Sequence, residues 1–185
     1  PVQKPDHDKQ QLIQNTSMEV KKDDLSYFSP LVTFQVVEDT IFKVPRREFE
    51  EESEVFEDMY SLPSENAKEG ESDEHPLRLE GVSVSDFRCF LQALIRRPAL
   101  RSTKSLTEHD LEMALKLAKM WCFNGLQEVL IKDLEALGLP ASRKLQLARL
   151  YDIKEWYKPE LRKLALRRSS LTLEEAERLG LDLTV

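Results

Sequence analysis

From Phe49 to Met59 the chain reads FEEESEVFEDM, and carboxylates this close together are the raw material of general acid–base catalysis. That chemistry needs an enclosed pocket that pushes two carboxyl pKa values apart. Glu50, Glu51, Glu52, Glu54, Glu57 and Asp58 instead fall mostly on the outer faces of two short predicted helices, so the run is expected to be a solvated face. His109 beside Asp110 is a pairing that metal sites use. The three histidines (His7, His75 and His109) are scattered, however, and no pair has metal-ligand spacing. Cys89 and Cys122 fall in helical patterns outside any C-x-x-C and are expected to be reduced, packed thiols. The sequence contains no G-x-S-x-G, no G-x-G-x-x-G and no P-loop, and its five glycines do not cluster to cradle a phosphate. No cofactor, metal or catalytic residue is expected.

Two basic features remain. Arg143, Lys144, Arg149, Lys154, Lys158, Arg162, Lys163, Arg167 and Arg168 enrich the last third of the chain in cations. An exposed helical face accounts for them most simply; the functional alternatives are an acidic protein partner or nucleic acid. Arg167-Arg168-Ser169-Ser170 matches an acceptor pattern of basophilic kinases, with Ser170 as the candidate phosphorylation site.

The elements that would position these groups follow from periodicity. Val32, Phe34 and Val36 alternate with Thr33, Gln35 and Val37, the two-residue period of a strand. Glu38-Asp39 suits a tight turn into a second strand over 41–44, which Pro45 ends because it has no N–H for a ladder. RREFEEES predicts a short helix anchored by Phe49. Ser53 then caps a helix whose stripe is Val55, Phe56, Met59 and Tyr60. Residues 64–75 form an acidic loop with no apolar anchor, expected to be mobile, and 76–79 read as a third strand. Ser83/Asp86, Thr107/Asp110 and Thr172/Glu175 have capping-box spacing. The first opens a helix with the stripe Val84, Phe87, Phe90, Leu91, Leu94 and Ile95; the second, stapled by Leu106 and Leu111, carries Leu111, Ala114, Leu115 and Ala118. Leu126, Val129, Leu130, Leu134 and Leu137 mark the next helix, with Gly138 past its end. Beyond Gly138 the pattern is helical throughout: one helix around Leu145, Ala148 and Tyr151, a short one holding Trp156 and broken before Pro159, another with Leu161 and Leu164, and a last one closed by Gly180-Leu181.

The whole is an α+β chain of 185 residues, about right for one domain with an appendage. Its net charge of -7 argues against a general phosphate-backbone binder and against an anionic membrane surface. No apolar run is long enough to span a bilayer, the polar first residues do not read as a signal peptide, and two unpaired cysteines suit a reducing compartment, cytoplasm or nucleus.

With strand, strand, helix, helix, strand and three helices in order, the chain resembles a BTB/POZ domain. The likeness is carried by LVTFQVVEDTIFKVPRREFEEESEVFEDMYSL, HPLRLEGVSVSDFRCFLQALI and LEMALKLAKMWCFNGLQEVLIKDL, covering roughly residues 28 to 138. Phe42, Val44, Arg46, Phe49, Ser53 and Phe56 take the places of that family's Phe-x-x-His-(Lys/Arg)-x-x-Leu, Ser-x-x-Phe. The tail is similar to BTB proteins expanded in mushroom-forming fungi: Tyr151, Ile153 and Trp156, then Leu171, Thr172, Glu174, Glu175, Ala176 and Gly180, fit their spacing.

The resemblance implies a small three-stranded sheet packed against a helical cluster over 25–138, preceded by a flexible arm at 1–24 and followed by a helical extension at 139–185 packed on it. It implies a non-catalytic protein–protein interaction module that self-associates as a homodimer, recruits a partner, or does both, as an adaptor in a transcription or ubiquitin-ligase complex. Arg46, Phe49, Leu106 and Glu108 are the candidate partner-binding residues. Leu106-Thr107-Glu108 matches the hydrophobic-x-Glu element that some adaptors present to cullin-3. Three departures stand against particular partners. Pro45 replaces the family's usual His. Leu31 replaces an Asp that would complete a charged co-repressor pocket with Arg46. RRPALRSTKSLT lacks the usual Tyr-Thr-Gly turn and fourth strand. Two other functions are carried as alternatives: a small enzyme with a cleft between core and tail, which a pocket holding Cys89 or Cys122 beside a histidine would supply, and nucleic-acid binding by the basic tail.

Overall fold

A strand with one face in the core buries every second residue, and Val32, Phe34 and Val36 are buried; Thr33 between them is buried as well. The computed structural model describes residues 30–36, 40–62, 69–95 and 106–180. The expectations placed on the arm at 1–24, the Glu38-Asp39 turn, residues 64–68, the departure over 96–105 and Leu181 lie outside the described residues.

Strand β1 (Leu31–Val36) pairs antiparallel with β2 (Thr40–Pro45), matching Val32 to Val44 and Phe34 to Phe42. Helices α1 (Arg46–Glu52) and α2 (Glu54–Ser61) follow, and β3 (Leu77–Leu79) then returns parallel to β1, with Phe34 opposite Leu77. The sheet order is β2-β1-β3. Parallel neighbours need a crossover, and α1 and α2 lie within it. Next come α3 (Val84–Leu94), α4 (Glu108–Met120) and α5 (Asn124–Ala136), and after them α6 (Ala141–Tyr151), α7 (Lys154–Leu166) and α8 (Leu173–Leu179). The described residues are therefore α+β, a small sheet with a helical majority.

An aromatic cluster fills the interior. Phe34, Phe49, Phe87, Phe90 and Phe123 have no measurable exposure, and Phe56 and Trp121 are buried with them. Ring centroids lie 4.8 Å apart for Phe34–Phe49 and 5.0 Å for Phe49–Phe56 and Phe90–Phe123, the last two pairs edge-on. Edge-on packing sets a positive ring edge against a negative face and adds about 0.5–1.5 kcal/mol per pair beyond burial. Ser53 ties this region together: its Oγ accepts from Phe56 N–H to cap α2 and donates to the Trp121 carbonyl at 2.5 Å, closing α2 against the end of α4.

The same hydrophobic cluster continues into the tail through Leu147, Ala148, Ile153 and Trp156. Two turns make this possible. After α4, Cys122 is left-handed (φ 54°) and Phe123 N–H reaches the Ala118 carbonyl; after α6, Asp152 is left-handed (φ 48°) and Ile153 N–H reaches the Ala148 carbonyl. Each is a Schellman closure that drops a buried hydrophobe, Phe123 or Ile153, beside its helix end. Cys122 thus sits in a turn and not in a helix.

Other expectations are corrected. Lys154–Leu166 is one helix that continues through Pro159. Proline there forfeits one backbone bond, and the buried Trp156 and Glu160 on either side hold the helix together. The second half of the acidic loop is mostly exposed but is tied down by its backbone, which the expectation of a mobile loop does not include. Gly70 is buried beside β1, its carbonyl accepting from Thr33 N–H at 2.7 Å and its N–H donating to the His75 carbonyl at 2.6 Å, while Asp73 pairs with Lys43. Gly70 needs its missing side chain: φ is 84°, and a Cβ would lie 3.0 Å from Val32 Cγ2. Val55, Ile95, Val129 and Leu137, assigned to inward stripes, are exposed. Ser83 caps α3, but Asp86 receives Lys116 Nζ at 3.1 Å.

Candidate functional site

Helix α7 presents Tyr157, Leu161, Leu164 and Ala165 on one face, the i, i+4, i+7, i+8 set that lines up along a helix. Leu145 and Arg149 of α6, Leu171 before α8, and Arg178 and Leu179 of α8 close the other sides of an apolar groove of about 480 Å³. Leu161 and Leu171, which line it, are 53% and 41% exposed, and Leu150, Leu166 and Leu173 of the same three helices are exposed outside it. The groove lies within the extension and not between core and tail, where the enzyme alternative would place its cleft.

Two clamps hold this surface in place. Arg143 at the start of α6 donates from Nε to Glu108 and from a terminal nitrogen to Glu112, both at 2.6 Å, and to Gln146 at 2.6 Å, fixing α6 to α4. Burial lowers the Arg143 pKa, but the bonds and charges of Glu108 and Glu112 outweigh it and raise it. Burial, then the Glu112 charge, pushes Tyr151 up to about 12, and its hydroxyl points at Glu112 from 3.4 Å. At neutral pH, arginine and tyrosine in this cluster keep their protons.

The second clamp is Arg167, which meets Glu175 with both terminal nitrogens at 2.7 Å and donates to the Ser169 and Ser170 carbonyls. The Arg167 bonds, with the Thr172 N–H that completes the capping box, hold the Glu175 carboxyl down at about 2. Arg149 closes the far end of α8 by donating to the Leu179 carbonyl at 2.9 Å.

The candidate partner-binding residues are not brought together in one patch. Arg46 is half-buried, paired with Glu50 at 2.6 Å, its guanidinium 4.0 Å over the Tyr60 ring. Phe49 is wholly buried at the centre of the aromatic cluster, which removes it as a contact residue. Leu106 packs half-buried on the core, Thr107 is occupied in its capping box, and Glu108 is taken by Arg143. Ser170 is exposed.

The basic tail is also corrected. Lys144 is buried, 3.4 Å from Glu135 and 3.6 Å from Glu160, with its ammonium 5.0 Å from the Trp156 ring centre. Arg143, Lys144, Arg149 and Arg167 thus bind other parts of the same chain, and Lys158, Arg162 and Arg168 are left exposed on the outer surface. Of the chemical candidates, Cys89 points its Sγ at Asp110 at 3.5 Å, and burial followed by that carboxylate pushes the thiol up to about 11, which keeps it protonated and a poor nucleophile. Among the described residues no three His, Cys, Asp or Glu converge as metal ligands, and no helix is long and apolar enough to cross a membrane. The acids of α1 and α2 are mostly exposed, as their spacing predicts. The groove and its clamps escape sequence reading because leucines of α6, α7 and α8 look inward-facing in each helix separately. Glu108 and Glu112, four apart on one helix face, are the one signal that could have announced Arg143.

No family model matches the chain, and no curated protein matches it.

Proposed function

We propose that the chain is a protein–protein interaction module of BTB/POZ type, acting in the cytoplasm or nucleus, that self-associates and recruits a partner by packing and not by bond making. The family reading rests on the residues that resemble that family. The observation that carries the interaction reading is the leucine-rimmed groove of α6, α7 and α8, whose floor is apolar and whose polar lining is two arginines and a tyrosine. Arg46 and Leu106 remain as candidate contacts, and adaptor roles in transcription or ubiquitin-ligase complexes are the partners this reading offers. Sedimentation equilibrium of the full chain up to about 100 µM tests it. A dimer burying more than about 1,000 Å² is expected, dissociating in Leu161→Glu, which alters a groove residue already 53% exposed. A monomer at every concentration overturns self-association, and a dimer that survives Leu161→Glu removes the groove as its contact.

A further inference from the structure

The connection between α7 and α8 carries a motif that the interaction reading leaves unused. Arg167-Arg168-Ser169-Ser170-Leu171 places arginines three and two residues before Ser170 and an apolar residue just after it, the arrangement sought by kinases that bind basic residues on the N-terminal side of the acceptor. Residues 168–174 are exposed. The backbone leaves α7 at Arg167 in an extended conformation (φ -71°, ψ 136°), the form in which a peptide lies along a kinase cleft.

One arginine serves two purposes here. Arg167 is the residue three before the acceptor, and it is also the clamp on α8, bonded to both Glu175 oxygens at 2.7 Å and to the Ser170 carbonyl at 2.9 Å. We propose that Ser170 is a phosphorylation site for a basophilic serine kinase, and that phosphorylation and the docking of α8 exclude one another because both need the Arg167 guanidinium. The kinase supplies ATP: the Ser170 Oγ attacks the γ-phosphorus, the bond to the β-phosphate oxygen breaks, ADP leaves, and the hydroxyl proton passes to solvent. The product carries close to two negative charges and three acceptor oxygens on a residue whose own carbonyl already touches Arg167. Glu174 and Glu175 stand in the first turn of α8, and the phosphate competes with Glu175 for the Arg167 guanidinium. Leu171 and Leu179 line the groove, so release of α8 removes one of its walls.

The kinase must take the Arg167 guanidinium into its own cleft, so whatever frees that group from Glu175 enlarges the fraction of the chain the kinase can bind. Glu175→Gln therefore gives the distinguishing experiment. The full chain, Glu175→Gln and Ser170→Ala are incubated with Mg-ATP and a purified kinase selective for Arg-Arg-x-Ser, and the phosphate is located by fragmentation mass spectrometry. Hydrogen exchange over 173–179 reports α8, and near-ultraviolet circular dichroism reports the aromatic core. The expected results are one phosphate on Ser170, none in Ser170→Ala, a higher rate in Glu175→Gln, where a larger fraction of the chain is competent, and α8 exchange in the phosphorylated chain rising to that of Glu175→Gln while the aromatic signal holds. Phosphate on Ser169 or Thr172, no phosphate when a peptide of residues 165–175 is modified, an unchanged or lower rate in Glu175→Gln, or α8 exchange untouched by phosphate would each overturn it.

Discussion

Arg143 satisfies Glu108, Glu112 and Gln146 with one guanidinium that is 21% exposed. Truncating it leaves two carboxylates one turn apart on the same face of α4 without their cation, and Glu112 is only 13% exposed. Arg143→Ala is therefore expected to lower stability by about 1–3 kcal/mol, with Arg143→Lys recovering only part because an ammonium lacks the planar fork; urea unfolding of the three proteins measures both. Glu175 gives a prediction in pH. Its folded pKa of about 2 lies below the ordinary value of 4.5, so the clamp contributes fully above 4.5 and is lost as pH falls from there through 2. NMR shifts of the α8 amides should move over that interval, and they should move less in Glu175→Gln. Neither clamp is legible from composition, which shows a basic tail but not that Arg143, Lys144 and Arg167 are spent on acids of the same chain. A charge declares its sign in sequence, whereas its partner is fixed only when the helices pack.

Elements follow their own signals more closely. The period-two alternation of β1, the two complete capping boxes at Thr107 and Thr172, and the left-handed Gly138 and Gly180 are legible in the residues because each depends on near neighbours. What defeats the sequence is tertiary override. Cys122 and Asp152 occupy left-handed cap positions that glycine usually fills, which the burial of Phe123 and Ile153 stabilises against a local cost of about 1–2 kcal/mol. Pro159 reads as a stop, yet α7 runs on to Leu166 because Trp156 and Glu160 are buried on both sides of it. Restoring the backbone donor by Pro159→Ala, at an exposed position, is expected to stabilise the chain by about 1–3 kcal/mol, read as a rise in melting temperature. The hydrogen bond that ties this loop to β1 has one sequence cue, Gly70, the only glycine in the acidic loop.

For the whole molecule, the account depends on sheet, α1–α5 and the helical extension sharing one interior, so that recruitment is left to outer surfaces such as the leucine-rimmed groove. One cluster of buried hydrophobic residues runs from Val32 in the sheet to Leu147, Ala148, Ile153 and Trp156 in the extension. The α+β class follows from the order of periods along the chain; the docking of the extension does not, because it rests on Arg143 and on the Cys122 and Asp152 turns. The two tryptophans stand on opposite sides of this question. Trp121 packs among Phe56, Phe87 and Phe90, whereas Trp156 packs under Lys144 in the extension. The most direct measurement is urea unfolding of Trp121→Phe and Trp156→Phe, each followed by its remaining tryptophan and by far-ultraviolet circular dichroism. One interior predicts that in each protein the fluorescence and dichroism transitions coincide within about 0.2 M urea. A Trp156 signal lost at lower urea, with the rest of the helical signal retained, would show an extension that folds apart from the core and would contradict the account.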